Sequence, residues 1–357
     1  MNNKYYFLAL NRIPKVGPRT VVKLLRRWPN LEEMFKLSED LLEKAGLPAI
    51  LAREIKAFNF KEVDFDLLWQ DAPNHFLLTL DDPNYPPLLK EISDPPFVLY
   101  AIGDLSSLLQ PKVAMVGSRK PSITGSETAK RFAFELAGKD ITIVSGLALG
   151  IDAEAHKGAL AANGKTIAVM GTGIDSIYPR RHMKLAADLC ENGLLLSEFP
   201  LKSPPIAGHF PLRNRIISGL SLCTLVVEAA IRSGSLITAR LAIEQNRDVL
   251  AIPGSIYNPQ AMGCHYLLQQ GAKLVTTSDD VLDELGVEYK QNARESSDRL
   301  AFDNKNLVKC IGFEVTTIDQ IILRSGLVFE KAICDLAELE LQGIVKAVPG
   351  GYTRCIL

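Results

Sequence analysis

The chain lacks any run of 18 consecutive apolar residues, so no membrane span is expected of it. Its first segment, MNNKYYFLALNRIPKVG, lacks the apolar stretch of a signal peptide, and none is expected. The six cysteines, Cys190, Cys223, Cys264, Cys310, Cys334 and Cys355, stand singly, with no CxxC pair and no metal-ligand spacing. The expectation is therefore reduced thiols in a cytoplasmic protein, with no disulfide framework and no metal. Neither GxGxxG nor GxxxxGK[ST] occurs, so neither dinucleotide nor P-loop nucleotide binding is specifically supported, and no cofactor is expected. An excess of one charge is also missing: 40 Lys and Arg balance 41 Asp and Glu, for a net charge of −1. That balance excludes a globally basic nucleic-acid binder and leaves only local patches for an anionic partner.

Such patches exist. Residues 1–60 hold eleven Lys and Arg against six Asp and Glu. Residues 200–240 hold five cations (Lys202, Arg213, Arg215, Arg232 and Arg240) against one acid, Glu228. Apolar residues recur at helical spacing over 5–10, 20–27 and 47–58, which predicts short helices. Between the first two lies Ile13-Pro14-Lys15-Val16-Gly17-Pro18-Arg19-Thr20, a tight turn opening a helix, with Pro18 suited to the first helical turn. It looks like a helix-hairpin-helix element, whose turn amides meet a phosphate, although Lys15 stands where the first glycine of that element is usual. A small helical packing module with no ligand reads the same residues equally well.

Residues 76–103 are proline-rich and read as an irregular connector. From Lys112 the chain alternates apolar strand candidates (113–116, 141–144, 166–170, 194–196, 223–227, 249–252 and 273–275) with helix candidates (122–138, 152–163, 180–191, 211–218, 236–246 and 261–270). Strands that are apolar throughout are covered by helices on both faces, which predicts an α/β, Rossmann-like doubly wound sheet. Residues 288–305 are polar and read as a linker. Beyond it, helix, turn, helix and hairpin spell a winged helix, with helices over 318–323 and 328–341 and a turn at Pro349-Gly350-Gly351. The second of these helices carries Glu330, Asp335, Glu338 and Glu340 against Lys331, which would repel a phosphate backbone and favours a protein-contact or packing role. The expected domains are 1–65 (helical, SAM- or helix-hairpin-helix-like), 66–287 (Rossmann-like), the linker 288–305, and 306–357 (winged helix).

Ligands of open α/β sheets sit beyond the carboxyl ends of the strands. Five such ends carry glycine loops: Gly117-Ser118-Arg119-Lys120, Ser145-Gly146-Leu147-Ala148-Leu149-Gly150, Gly171-Thr172-Gly173, Arg232-Ser233-Gly234-Ser235 leading to Thr238, and Pro253-Gly254-Ser255. Glycines admit an anion close to the backbone, and helix N-termini aim free amides at it. A single loop reads more readily as a tight turn. Five along one edge, with Arg119 as the fixed charge, point to several phosphates in a row. Residues His209, Phe210, Arg213, Asn214 and Arg215 add an aromatic among cations, which suits unpaired bases stacking while their backbone is neutralised. The other reading puts Phe210 in the core and pairs the arginines with acids. No catalytic constellation stands out: Asp152 and His156 share a helix face, but a helix cap and a packed histidine explain them as well, and Cys264-His265 reads as structural.

The ordered motifs VGSRKPSITG (116–125), VSGLALGIDAEAH (144–156), GTGIDSIYP (171–179), SEFP (197–200), HFPLRNRIISGLS (209–221), VVEAAIRSGSLITARLAIEQNRDVLAIPG (226–254) and GAKLV (271–275) closely resemble the DNA-processing protein A family (DprA, also called Smf). The resemblance is dense over about 75–285. It implies a non-enzymatic single-stranded DNA-binding protein that protects incoming DNA and loads the RecA recombinase during natural transformation, and a homodimer built through the Rossmann-like domain. It also implies DNA contacts by Arg119 and by Phe210, Arg213 and Arg215. Two departures stand out: Leu149, where the family often has arginine, and Cys264-His265, where it often has a Thr-Asn pair. The competing reading is a phosphoribohydrolase of the Rossmann-like lysine-decarboxylase-like group. That group needs a catalytic carboxylate beside PGGxGT, where this chain has Ile231-Arg232-Ser233-Gly234-Ser235-Leu236 with Glu228 nearby.

Overall fold

The computed structural model describes residues 3–286 and 305–355. The expected linker lies almost wholly outside the described residues. Six helices open the chain: α1 (Lys4–Arg12), α2 (Pro18–Arg27), α3 (Leu31–Lys36), α4 (Glu39–Lys44), α5 (Ala49–Ala57) and α6 (Lys61–Gln70). The short α3 and α4 are set by side-chain caps, Asn30 accepting from the Glu32 amide and Ser38 from the Leu41 amide. Phe7, Leu8 and Leu10 are fully buried, and a nest of rings gathers on Phe60, which stacks on Tyr5 at 5.2 Å. The buried Asp66 carboxylate takes two hydrogen bonds from Arg12, at 2.8 and 2.7 Å. The helical segment shares one hydrophobic core with the sheet that follows, Phe7 meeting Phe97 at 6.3 Å between ring centres. The described residues 3–120 and 129–286 accordingly form one compact unit.

The proline-rich stretch is more regular than its composition suggests. It supplies β1 (His75–Thr79), the one-turn helix α7 (Pro87–Lys90) and β2 (Val98–Gly103). The two strands pair antiparallel, from His75 opposite Ile102 to Thr79 opposite Val98. Prolines fall between the strands rather than in them, so no ladder donor is lost. The sheet continues with β3 (Lys112–Val116), β4 (Thr142–Ser145), β5 (Thr166–Val169), β6 (Leu194–Ser197), β7 (Cys223–Val226), β8 (Asp248–Ala251) and β9 (Lys273–Leu274). Between them run α8 (Ile123–Ala137), α9 (Ile151–Ala161), α10 (Met183–Asn192), α11 (His209–Leu220), α12 (Ser235–Glu244) and α13 (Met262–Gln269), and α14 (Ser278–Leu285) follows.

The nine strands lie in the order β1-β2-β6-β5-β4-β3-β7-β8-β9. Pairing is parallel from β6 through to β9, and β2 joins β6 antiparallel. Helices α9 and α10 pack together over β4 to β6, while α11 and α12 pack against each other and reach β3 and β7. The expected doubly wound, Rossmann-like sheet is therefore present, extended at one edge by the antiparallel pair. Among the described residues no helix is long and apolar enough to cross a membrane.

The C-terminal unit has its own core of Leu307, Ile311, Ile321, Leu336, Leu339, Ile344 and Val345. It comprises α15 (Lys305–Cys310), α16 (Ile318–Ser325), α17 (Phe329–Leu341) and the hairpin β10 (Val345–Val348) with β11 (Gly351–Arg354). Thr317 and Gln320 cap α16 reciprocally, and Gly326 ends it at φ 69°, in the left-handed region. This is the expected winged-helix arrangement.

Candidate functional site

The order of the strands reverses at β3. The chain builds β4, β5 and β6 to one side, then returns to lay β7, β8 and β9 on the other. A crevice must open at such a reversal, beyond the carboxyl ends of β3 and β7. There Gly117-Ser118-Arg119-Lys120 follows Val116, and Glu228 follows the β7 strand. The two loops are tied by the backbone: the Ser118 amide donates to the Glu228 carbonyl at 2.7 Å, and the Ile151 amide donates to the Ser118 carbonyl at 3.1 Å.

A cleft of about 850 Å³ lies over this point. Of the residues singled out in the sequence, it gathers Gly117, Ser118, Arg119, Lys120, Phe210, Arg213, Asn214, Arg232, Ser233, Gly234, Ser235 and Thr238. Arg119, Lys120 and Arg232 are exposed, and the Arg119 guanidinium stands 5.9 Å from the centre of the Phe210 ring. That ring is half-buried and meets Tyr178 at 5.5 Å. Cation and rings thus face the same space, as a strand with unpaired bases requires. The Ser118 hydroxyl donates to Gln260 at 3.1 Å and accepts from the Lys120 amide at 3.1 Å, which fixes the loop. The hydroxyls of Ser233 and Ser235 are 2.7 Å apart. Sequence reasoning missed Tyr178 and Gln260. Tyr178 carried a signal, an aromatic closing the glycine loop GTGIDSIYP; Gln260 carried none.

The structure places several other candidates differently. Ser145 is fully buried, and its hydroxyl donates to the Met115 carbonyl at 2.6 Å, so it faces the sheet rather than the cleft. His209 stacks on Phe199 at 4.0 Å. Arg213 and Arg215, two residues apart on α11, point about 200° apart, because each helical residue turns about 100°. They therefore cannot serve one ligand. Arg215 is 5% exposed and is gripped by both carboxylate oxygens of Glu198 at 2.6 Å, with the Asp94 carbonyl at 3.1 Å. Burial pulls its pKa down, but the charge and hydrogen bonds of Glu198, together with the Asp94 charge, outweigh this and the net shift is upward.

Arg213 lies under the cleft floor, 4% exposed, donating to the carbonyls of Gly146 (2.7 Å) and Val169 and to the Asn214 side chain (3.2 Å). Burial lowers its pKa to about 10, with Asp152 opposing, so it stays charged at neutral pH. Asp152, also buried, takes the Gly146 amide at 3.1 Å; burial raises its pKa. Arg213 and Asp152 thus both hold Gly146, one by its carbonyl and one by its amide, and support the loop from below.

The glycines, too, are shaped by protein neighbours more than by open space. A Cβ on Gly117 would meet Ile151 at 2.6 Å, on Gly146 the Arg213 guanidinium at 2.6 Å, on Gly171 the Phe210 ring at 2.8 Å, and on Gly173 the Pro200 carbonyl at 2.7 Å. Gly234 alone of the loop residues among these has nothing within 4 Å. Gly150, the residue before α9, sits at φ 79°, where a side chain is strained. The loops are thus closely packed walls, with the open face at Arg119, Lys120 and 232–235.

His156 is fully buried one turn along α9. Thr166 gives its hydroxyl proton to the Ile143 carbonyl, so the His156 Nδ1–H donates to Thr166, at 2.7 Å, and Nε2 has no partner. Burial lowers its pKa to about 3. The native state therefore holds it neutral while the unfolded chain protonates below about 6.5. Its stabilisation is complete above that value and is lost as pH falls from about 6.5 toward 3. We expect about 1–2 kcal/mol of stability to disappear between pH 7 and 5. Urea unfolding of the parent and of His156→Gln at both pH values checks this: the variant should lack that part of the pH dependence.

Cys264 is buried with its thiol on the Val226 carbonyl at 3.6 Å, and the His265 ring donates to the Gly254 carbonyl at 3.0 Å. Among the described residues no group of three or more His, Cys, Asp or Glu is arranged to hold a metal.

Comparison with known proteins adds the following. The family model described as DNA recombination-mediator protein A matches residues 76–286, and the model described as DprA winged helix domain matches residues 291–351. Protein Smf of Escherichia coli K12 is 46% identical over 323 residues, covering 88% of this chain and 86% of that protein. The X-ray structure of DNA processing protein A from Streptococcus pneumoniae is similar at 39% identity and a TM-score of 0.69, covering 81% of this chain and 99% of that one. DNA processing protein A from Helicobacter pylori, solved for its single-stranded DNA binding mode, is 33% identical with a TM-score of 0.54, covering 59% and 95%.

Proposed function

The chain belongs to the DNA-processing protein A (DprA/Smf) family, and on that premise we propose that it is a non-enzymatic single-stranded DNA-binding protein that uses the cleft at the β3–β7 reversal. The observation carrying this reading is the exposed Arg119 set over Phe210, with Tyr178 beside it, at the sheet's switch point. The cation grips phosphate and the rings accept bases, which a duplex keeps stacked. The binding mode described for the Helicobacter pylori relative supports it. Of the loop residues, Gly117, Ser118, Lys120, Asn214, Arg232, Ser233, Gly234, Ser235 and Thr238 line the strand's path. Ser145, Gly146, Gly150, Gly171, Gly173, His209, Arg213 and Arg215 hold its walls. In the cytoplasm the protein acts as a homodimer that protects incoming DNA and hands it to RecA during natural transformation; these finer roles rest on family membership.

The test is competition against a labelled oligothymidylate. Unlabelled single strands should displace it at far lower concentration than duplex DNA at this site, and AMP should not displace it. Three exposed cations, Arg119, Lys120 and Arg232, set a salt slope of about −2, so affinity should fall about fifteen-fold between roughly 50 and 200 mM salt. A flat salt response, displacement by AMP, or adenine released from AMP would contradict the reading and favour nucleotide chemistry.

A further inference from the structure

The N-terminal helices carry a feature that the cleft does not use. Helix α2 presents Arg19, Lys23, Arg26 and Arg27, all exposed, and has no acid. Lys15, exposed in the turn before it, joins them. None of the five is in an ion pair among the described residues, whereas Arg12, Lys36 and Arg53 of the same helical segment are. Arg19, Lys23 and Arg27 follow one another at four-residue spacing, which places three cations on one face at intervals of about 6 Å. Like charges at that spacing repel, by a few tenths of a kcal/mol per pair. A row of this kind is stabilised when an anion lies along it.

The row borders a second cavity, of about 580 Å³, lined by Lys15, Lys23 and Arg27 and closed on the far side by Gly46, Leu47 and Pro48 of the α4–α5 turn. One acid, Glu54, also lines it. Lys15, held at φ 66° in the left-handed region where a lysine is strained, lines this cavity. The aromatic there, Trp28, is half-buried against the hydrophobic core and carries the Arg27 guanidinium over its ring at 5.0 Å, so it is not offered to a base.

We propose that α2 and the Lys15 turn form a second nucleic-acid site, distinct from the cleft, which grips the phosphate backbone alone and so accepts duplex DNA. The extended row matches a polyanion better than one phosphate, and the absence of a free ring among the lining residues removes the preference for unpaired bases.

The experiment uses the full chain, with fluorescence anisotropy of a labelled 20-base-pair duplex and a labelled oligothymidylate across a salt series. The variant Arg19→Glu/Lys23→Glu/Arg26→Glu replaces side chains that have no hydrogen bond or ion pair among the described residues. It should weaken duplex binding at least tenfold near 50 mM salt and flatten the duplex salt slope by about 2 to 3. Oligothymidylate binding should change less than threefold. Arg119→Ala should do the reverse, so failure of this proposal and failure of the cleft assignment are distinguishable. Should the triple variant fail to melt cooperatively, the neutral pair Lys23→Gln/Arg26→Gln carries the same test, with a three- to tenfold loss expected. Unchanged duplex affinity and slope in either variant, or no duplex binding by the parent chain, would overturn the proposal.

Discussion

Replacing Arg119 by alanine is expected to lower affinity for an oligothymidylate by one to two orders of magnitude while leaving the melting temperature within a degree of the parent. Hydrogen bonds to charged groups contribute about 1.5–3 kcal/mol, and each 1.4 kcal/mol is tenfold in affinity. Arg119 is exposed, has no ion pair or side-chain hydrogen bond among the described residues, and holds its guanidinium 5.9 Å from the centre of the Phe210 ring. Its removal therefore costs the fold almost nothing. The backbone of its loop is held by others: Ser118 donates its amide to Glu228 at 2.7 Å and its hydroxyl to Gln260 at 3.1 Å. Fluorescence anisotropy with a thermal melt on the same sample checks both halves. Arg119→Lys should recover part of the affinity, since charge is kept while the planar fork is lost.

Arg215→Ala should give the opposite pattern. It removes one partner of a buried ion pair and leaves the Glu198 carboxylate, 13% exposed, without its two 2.6 Å bonds. Breaking such a pair costs about 3–5 kcal/mol, mostly from the charge left behind. The Asp94 and Leu212 carbonyls lose a donor as well. Glu198→Ala should be comparably destabilising, and the double variant should cost clearly less than the sum, because no buried charge is then stranded. Denaturant midpoints of the four proteins close this cycle. Folded Arg215→Ala should still bind the oligonucleotide within about threefold of the parent at low temperature, because its guanidinium lies outside the cleft. The contrast separates two arginines that the motif HFPLRNR presents as equals.

That contrast also marks where the sequence stops being readable. The parallel strands were legible because burial on both faces leaves unbroken apolar runs such as Val113 to Val116, and the reversal at β3 follows from the number and order of those runs only once the sheet is seen. Strands β1 and β2 were hidden because prolines dominate the window between them, although none falls inside either strand. Helices α3 and α4 are six residues each, too short for a period of 3.6 to show. The glycine loops were legible as an edge, but not what each glycine accommodates: Gly146 clears the Arg213 guanidinium and Gly171 the Phe210 ring, contacts made across 67 and 39 positions of chain. The helical period alone could have separated Arg213 from Arg215, since residues two apart cannot share a face. Tyr178 joined the site from a loop whose glycines drew attention away from its ring.

In the proposed binding mode a single strand lies across Phe210 and Tyr178 beneath Arg119. Photocross-linking with an oligonucleotide carrying 5-iodouracil, followed by peptide mapping, tests it most directly. Adducts are expected on Phe210 or Tyr178, and they should vanish with Arg119→Ala. Adducts confined to Trp28 or to residues 305–355, with none on the cleft, would contradict it.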